Sequence, residues 1–223
     1  IRSQRMFTLT VSVVAATTVI AGSCEMTSQN VSVDPADEKQ ALRRAATKTR
    51  KIFFEQQIHA AMAIADYADR LLDQFGRGIY AAYLPIRSEL SPLPLVARLA
   101  DSSVQTAMPI TPAPGNPLDF RLWAPGDKLD DGPYGTKQPS ATAPVCAPDV
   151  ILAPMLAFDS ACWRLGYGGG FYDRSIGGLR QAGHKVVTIG VAFSGQQVEQ
   201  VPTGPYDMAL DAVLTPDGLI MPA

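Results

Sequence analysis

Hydrophobic and polar positions follow a pattern that divides residues 34–223 into helices and strands. Segments with apolar residues at helical spacing alternate with short apolar runs typical of buried strands. The predicted helices are 35–51, 55–74, 92–101 and 174–182, and the predicted strands are 79–84, 104–110, 118–123, 150–153, 185–193 and 212–215. The Pro- and Gly-rich stretch 111–148 is predicted to be mostly loop, and a loop of that length is usually functional. This alternation predicts an α/β fold, which we expect to be a single domain with a largely parallel sheet flanked by helices.

The first predicted helix has a clear start signal, which also marks the start of the predicted domain. Asp34 suits the N-cap and Pro35 suits the first helical position. Asp37 and Glu38 lie in the first turn, where the helix dipole favours acidic groups. The predicted domain therefore comprises residues 34–223.

Residues 1–33 are predicted to lie outside this domain. Arg2 and Arg5 precede an uncharged, mostly apolar stretch at 7–22, and small residues then lead to Cys24, which is the outline of a secretory signal. The stretch is too short and too rich in Ser and Thr for a membrane span. Two interpretations stay open: an N-terminal extension on a cytoplasmic protein, which we favour, and the signal of an exported one.

The composition is that of an ordinary globular protein without a strong electrostatic field. Of the 223 residues, 47% are hydrophobic and 18% are charged, which disfavours a disordered chain or a coiled coil. The 19 Lys and Arg residues nearly balance the 21 Asp and Glu residues, so the net charge of -2 favours neither nucleic acid nor an anionic membrane as a partner. Cys24, Cys146 and Cys162 have no spacing typical of disulfide frameworks or zinc sites, which favours a reducing compartment. We expect small-molecule partners and a monomer.

The most informative segment is the glycine-rich sequence RLGYGGGFYDR at 164–174. Its glycines allow backbone N–H groups to turn inward, and the helix that follows directs the positive end of its dipole at the loop. This arrangement predicts a phosphate site, although the spacing matches neither the P-loop nor the dinucleotide-binding pattern. A plain strand-to-helix connection is the alternative. Asp173 adds a carboxylate that suits Mg²⁺ beside a polyphosphate, or that simply caps the helix.

Several motifs, taken in order, resemble the 5-formyltetrahydrofolate cyclo-ligases, which are also called methenyltetrahydrofolate synthetases. The glycine-rich segment and PMLAFD at 154–159 resemble the signature of this family. The other matching motifs are KQALR at 39–43, YLPIRSE at 83–89, FR at 120–121 with GD at 126–127, and AF at 192–193 with Gln196, Pro202 and Asp207. The resemblance extends over residues 39–215. Departures from the family pattern include Gln138 in place of Glu and Phe171 in place of the common Tyr.

The resemblance implies an enzyme that converts 5-formyltetrahydrofolate to 5,10-methenyltetrahydrofolate with MgATP and releases ADP and phosphate. It also implies a fold similar to the ribose-phosphate isomerase and CoA-transferase architecture. The formyl oxygen is expected to attack the γ-phosphoryl group, after which N10 closes the ring and phosphate leaves. A non-catalytic nucleotide- or folate-binding relative with the same fold is the alternative that stays open.

The resemblance also implies roles for individual residues. Arg164 and Tyr172 are expected to be catalytic, and Asp173 and Asp207 are expected to hold Mg²⁺. The expected ATP-binding residues are Lys39, Arg43, Arg164, Leu165, Gly166, Tyr167, Gly168, Gly169, Gly170, Phe171 and Tyr172, with Arg50 as a weaker contact. The expected folate-binding residues are Leu84, Glu89, Tyr167, Gly168, Gly169, Gly170 and Phe171. Without the resemblance, Lys39 and Arg43 would be interpreted as part of a solvated basic helix face. Neither His59 nor His184 is expected to be catalytic.

Overall fold

The computed structural model describes residues 35–223. Its helices are α1 (Pro35–Gln56), α2 (Ala60–Ala65), α3 (Ala68–Phe75), α4 (Leu93–Asp101) and α5 (Phe171–Gln181). Its strands are β1 (Tyr80–Ala81), β2 (Thr106–Ile110), β3 (Asp119–Leu122), β4 (Leu129–Asp131), β5 (Lys137–Pro139), β6 (Val150–Pro154), β7 (Ala157–Phe158), β8 (Arg164–Leu165), β9 (Val187–Val191), β10 (Ala212–Thr215) and β11 (Gly218–Ile220). Among the helices of this part of the chain, none is long and apolar enough to cross a membrane. The predicted N-cap Asp34 and the predicted extension at 1–33, with its signal-like pattern, lie outside the described residues.

A seven-stranded sheet with the order β11-β10-β9-β6-β1-β2-β3 forms the centre of the fold. Its five inner strands are parallel to one another, and β3 and β11 add one antiparallel strand at each edge. Two small antiparallel pairs, β4 with β5 and β7 with β8, lie outside this sheet. The prediction of an α/β domain with a largely parallel sheet is confirmed.

Strand β6 is covered on both faces, as its uninterrupted apolar sequence predicts. Val150 and Leu152 belong to the cluster that packs against α2, α3 and α4. Ile151 and Ala153 belong to a second cluster, which includes Ile176 of α5. Because successive side chains of a strand point to opposite faces, this division places α5 across the sheet from α2, α3 and α4.

The connections of the sheet reverse direction between β1 and β6. From β1 the chain passes through α4 to β2 on one side, and from β6 it passes through α5 to β9 on the other. At such a switch point the two connections diverge and leave a crevice at the carboxyl ends of the strands, where open α/β sheets bind ligands. The topology therefore predicts a site beyond the ends of β1 and β6.

The predicted helix at 55–74 is interrupted in the structure. Helix α1 continues to Gln56, and α2 and α3 are separated by Asp66 and Tyr67. The N–H groups of these two residues bond to carbonyls three positions earlier, which is the tighter 3₁₀ arrangement. The apolar pattern did not reveal the break because Ile64 and Leu71 are buried on either side of it.

Candidate functional site

A cavity of about 610 Å³ lies at the predicted crevice. Leu84 follows β1, Pro154 ends β6, and the glycine-rich loop between β8 and α5 forms a further wall. The predicted site residues that line the cavity are Lys39, Arg43, Leu84, Glu89, Arg164, Gly166, Tyr167, Gly168, Gly169, Gly170, Phe171, Tyr172, Asp173 and Asp207. Leu165 does not line it, because its side chain is buried in a cluster with Ala46 and Leu156.

Two glycines of the loop adopt backbone conformations that side chains disfavour. Gly168 has a φ of 100°, and Gly170, with a φ of 65°, is the N-cap of α5. Helix α5 therefore begins at Phe171, earlier than the predicted residue 174. The first turn of a helix carries N–H groups without intrahelical partners, and Phe171, Tyr172 and Asp173 of this turn line the cavity. Loop and helix together suit an anion.

Helix α1 brings two cations to the same cavity. Lys39 and Arg43 are one helical turn apart and so lie on one face. Arg43 Nε donates to the carbonyl of Gly166 at 3.0 Å, and Lys39 Nζ pairs with Asp207 Oδ2. Arg44, by contrast, is exposed on α1. The two predicted residues are thus distinct from the solvated basic face of the helix.

Arg164 is a buried cation in the cavity wall, with 4% of its side chain exposed. Its Nη2 lies 2.8 Å from Asp173 Oδ1, and its guanidinium stacks 5.5 Å from the centre of the Tyr172 ring. The contact with Asp173 is a charge contact without an aligned hydrogen bond. Arg164 Nε and Nη2 accordingly have no hydrogen-bond acceptor among the described residues. Arg164 thus brings a positive charge to the cavity wall, which suits an anionic ligand.

Asp173 and Asp207 are brought to one cavity from distant parts of the sequence. The N–H of Met208 donates to Asp173 Oδ1 at 3.2 Å, and the N–H of Gly204 donates to Asp207 Oδ2 at 2.6 Å. Within residues 35–223, no group of three or more His, Cys, Asp and Glu side chains is placed to hold a metal ion. Two carboxylates still fit Mg²⁺ when phosphate oxygens complete its coordination, which is its usual mode in nucleotide sites.

Glu89 contributes a buried carboxylate, with 4% of the residue exposed. Its Oε2 accepts the N–H of Ile86 at 2.8 Å, and its Oε1 accepts the hydroxyl of Tyr167 at 2.7 Å. Burial raises the pKa of Glu89, while these two hydrogen bonds and the nearby Arg50 oppose the rise. The carboxylate is therefore a strong acceptor that depends on its neighbours to stay charged.

Three tyrosines of the cavity keep their protons. Burial raises the pKa of Tyr83, Tyr167 and Tyr172, and the charge of Glu89 adds to the effect in each case. Tyr83 donates its hydroxyl to the carbonyl of Leu90 at 2.5 Å. At neutral pH these hydroxyls are hydrogen-bond donors, so none of them is suited to act as a general base.

Arg50 does not line the cavity, contrary to the weaker ATP contact predicted for it. The residue is 1% exposed. Its Nε donates to Ser88 Oγ at 3.2 Å, and its Nη1 donates to the carbonyl of Met155 at 3.4 Å and to the hydroxyl of Tyr167 at 2.5 Å. The guanidinium lies behind the cavity wall rather than in it.

Several residues of the cavity wall were not predicted from the sequence. Arg87 lines it from the segment after β1, Lys137 lines it from the start of β5, and Thr136 lines it from the residue before β5. Gln138, one of the departures from the family pattern, accepts the N–H of Thr111 at 3.3 Å and so ties β5 to the end of β2. Arg87 lies in the YLPIRSE motif, which was noted without a role for this residue. For Thr136 and Lys137 the signal was the length of the Pro- and Gly-rich loop, which predicts function without naming residues.

Comparison with known proteins identifies relatives along most of the chain. A profile of the 5-formyltetrahydrofolate cyclo-ligase family matches residues 35–216. The 5-formyltetrahydrofolate cyclo-ligase of Haemophilus influenzae is 27% identical over 183 residues, which cover 79% of this chain and 97% of that protein. The enzyme of the same name from Escherichia coli strain K12 is 31% identical over 141 residues, covering 61% of this chain and 76% of that protein. The structure of Aquifex aeolicus 5,10-methenyltetrahydrofolate synthetase superposes with a TM-score of 0.66 at 24% identity, covering 82% of this chain and 92% of that one, and shares the fold.

Proposed function

The chain belongs to the 5-formyltetrahydrofolate cyclo-ligase family, and we propose that it converts 5-formyltetrahydrofolate to 5,10-methenyltetrahydrofolate with ATP, releasing ADP and phosphate. The observation that carries the proposal is a cavity whose wall contains both a glycine loop at a helix N-terminus and a buried carboxylate. A reaction that joins phosphoryl transfer to ring closure needs nucleotide and folate in direct contact. One cavity that suits both meets this need.

The reaction requires the formyl oxygen to become a leaving group. We propose that this oxygen attacks the γ-phosphorus of ATP, so that an O–P bond forms while the bond from phosphorus to the ADP oxygen breaks. N10 then attacks the formyl carbon and loses its proton, and the C–O bond breaks as phosphate leaves with the electron pair. An amide oxygen is a poor nucleophile and a worse leaving group, so the protein acts mainly by positioning the reactants and stabilising charge.

The phosphate groups are proposed to bind where the cations and the loop meet. Lys39, Arg43 and Arg164 would contact phosphate oxygens, together with the N–H groups of residues 166–172. This assignment is supported by the positive charge that Arg164 brings to the cavity wall and by the first turn of α5 at the same wall. Arg164 is proposed to stabilise charge during phosphoryl transfer, and Tyr172, which keeps its proton, to donate a hydrogen bond there.

The folate is proposed to bind beside the same loop. Glu89 would accept hydrogen bonds from N–H groups of the pterin ring, and Leu84 would pack against the ring. Residues 167–171 would then contact both substrates. The proposal is supported by the burial of Glu89, because a buried carboxylate gains more from a specific donor than an exposed one.

We propose that Mg²⁺ enters with ATP and is held by Asp173 and Asp207 together with phosphate oxygens. The ion would supply charge neutralisation on the β- and γ-phosphates. The two carboxylates at one cavity support this assignment. Each is held in place by a cation of the protein, Asp173 by Arg164 and Asp207 by Lys39.

The proposal implies ATP and 5-formyltetrahydrofolate as partners and the cytoplasm, where ATP is abundant, as the place of action. The net charge of -2 supports the expectation that nucleic acid is not a partner. The monomeric state stays a prediction.

Turnover distinguishes this proposal from the alternative of a non-catalytic binding relative. The protein is mixed with 5-formyltetrahydrofolate, ATP and Mg²⁺, and the methenyl product is followed by its near-ultraviolet absorbance, with ADP measured in parallel. We expect one ADP per methenyl product and no product without ATP. Arg43→Ala should slow the reaction, while Arg44→Ala, on the exposed face of the same helix, is the matched control. Binding of both ligands without product would support the non-catalytic alternative.

A further inference from the structure

A buried hydrogen-bonded unit joins helix α1, the segment after β1 and the glycine loop. Arg50 Nη1 donates to the Tyr167 hydroxyl at 2.5 Å, and this hydroxyl donates to Glu89 Oε1 at 2.7 Å. Arg50 Nη1 also lies 3.7 Å from Glu89 Oε1, and the guanidinium lies 5.3 Å from the centre of the Tyr167 ring. The Tyr167 hydroxyl thus lies between a buried cation and a buried anion.

Stability alone is a poor reason for this arrangement. Arg50 Nη2 is buried without a hydrogen-bond partner among the described residues, and a buried donor without an acceptor costs free energy. Replacing a buried ion pair by packed apolar side chains is often neutral or stabilising. An arginine that is nearly inaccessible and incompletely satisfied points to a role for the groups that it holds.

Arg50 holds one group from each of the two proposed binding regions of the cavity, the glycine loop for ATP and Glu89 for the folate. Tyr167 is part of the glycine loop, where its neighbours Gly166 and Gly168 have no side chain to restrain the backbone. Glu89 is the carboxylate proposed to bind the pterin ring. Each carboxylate oxygen has two acceptor sites, so the bonds from Ile86 and Tyr167 leave acceptor capacity for a ligand.

We propose that Arg50 is a positioning residue, which holds the Glu89 carboxylate and the Tyr167 hydroxyl in one unit and thereby couples folate binding to the order of the glycine loop. The inference rests on the proposed function, since it assigns Glu89 to the folate and the loop to ATP. Arg50 itself touches neither substrate. Its effect is on the charge of Glu89 and on how strongly bound nucleotide changes the affinity for folate.

The charge of Glu89 is set by groups from several elements. Arg50 and Arg87 favour the ionised form, as does the hydrogen bond from Tyr167, whereas burial favours the protonated form. Tyr83 and Tyr172 also face Glu89 and stay neutral, since its charge helps to raise the pKa of both. Removal of Arg50 therefore raises the pKa of Glu89 further. When the pH is lowered, a variant without Arg50 should lose folate binding at a higher pH than wild type does.

The test compares Arg50→Met, Arg50→Lys and Tyr167→Phe with wild type and with Arg44→Met, a control on the exposed face of α1. Binding of 5-formyltetrahydrofolate is measured by calorimetric titration across pH, with and without a non-hydrolysable ATP analogue. In Arg50→Met we expect the affinity for 5-formyltetrahydrofolate at neutral pH to fall roughly 10- to 100-fold. The acid midpoint, which is the pH at which half of the affinity is lost on acidification, should move to higher pH. Arg50→Lys keeps a charge without the planar fork, so its midpoint should stay closer to that of wild type.

The analogue is expected to tighten folate binding in wild type by about fivefold or more, and Tyr167→Phe should lose this coupling. If Arg50→Met does not fold, as judged by circular dichroism, Tyr167→Phe decides the question through the coupling. A midpoint in folded Arg50→Met equal to that of Arg44→Met, or full coupling in Tyr167→Phe, overturns the inference. Wild-type protein that binds both ligands but forms no product refutes the proposed function alone, and wild-type protein that does not bind the folate refutes both.

Discussion

Arg164 Nη2 lies 2.8 Å from Asp173 Oδ1, so a buried cation at the start of the glycine loop contacts a carboxylate at its end. Both side chains line the cavity. The pair therefore closes the loop at the N-terminus of α5 and directs the charges of both residues to the place proposed for the phosphates. Asp173 consequently supports Arg164, and its proposed coordination of Mg²⁺ is a second, separable role.

Asp173→Asn is expected to lower turnover by roughly 10²-fold or more, on the scale of losing a preorganised charge-stabilising group. It also leaves the buried Arg164 without its anionic partner, so the free energy of unfolding should fall by about 1–3 kcal/mol. Turnover against Mg²⁺ concentration and urea unfolding without ligands measure the two effects. A half-maximal Mg²⁺ concentration equal to that of wild type would leave Asp173 with the supporting role alone. Asp207→Asn, examined in the same way, shows whether a second carboxylate holds the ion.

Lys39→Ala and Arg43→Ala are expected to raise the KM for ATP roughly 10- to 100-fold each, since each removes a charged hydrogen bond proposed to contact phosphate. The KM for 5-formyltetrahydrofolate should change much less. Steady-state kinetics with each substrate varied in turn measure the difference, and Arg44→Ala is the matched control. Equal increases in both KM values would argue against a phosphate-specific role for these cations.

The fold could be predicted where one local pattern determined one element. The apolar run of β6 predicts a strand buried on both faces, and Val150 to Pro154 forms that strand. The short pairs β4–β5 and β7–β8 were missed, because strands of two or three residues are held by surrounding contacts rather than by their own periodicity. The break between α2 and α3 was missed for a related reason: burial continues across it.

The candidate site could be predicted only where a motif identified residues. The glycine loop and the cations of α1 are recognisable along the chain, and the structure brings them to one cavity. The position of Arg50 was not predictable, because a charged residue on a helix is usually exposed. Its burial depends on Ser88, Met155 and Tyr167, which are distant in sequence and meet it only in the folded chain.

Gly168→Ala is expected to impair ATP use more than folding. With a φ of 100°, an alanine here is strained by about 1–3 kcal/mol. Its Cβ would also lie 3.4 Å from Cζ of Arg43, one of the proposed phosphate contacts. We expect a raised KM for ATP and a reduced kcat, measured by steady-state kinetics. Unchanged kinetics in a protein of lowered melting temperature would show that this glycine serves the fold only.

Gly177→Ala and Gly178→Ala in α5 are expected to stabilise the protein. A Cβ at either position meets nothing within 4 Å, and alanine is favoured over glycine in a helix interior by about 0.5–1 kcal/mol. For a chain of this size the melting temperature should rise by about 1–4 °C per substitution. Calorimetry measures this change, and turnover should equal that of wild type because neither residue lines the cavity. A lower melting temperature would mean that α5 needs glycine at these positions.

Glu89 gives the folded protein a pH dependence whose sign follows from its burial. Burial raises the pKa of Glu89 above its ordinary value of 4.5, so the folded state keeps this proton to a higher pH than the unfolded chain does. Between the ordinary value and the raised one, the folded state binds more protons, and the contribution of Glu89 to the free energy of unfolding decreases as pH rises. Glu89→Gln cannot ionise and should lack this decrease.

Urea unfolding of wild type and Glu89→Gln, from below pH 4.5 to neutrality, measures the difference between their free energies of unfolding. Glu55→Gln, at an exposed position, is the control. As pH rises, the free energy of unfolding of Glu89→Gln should increase relative to that of wild type. If it decreases instead, Arg50 and Tyr167 stabilise the carboxylate by more than burial destabilises it.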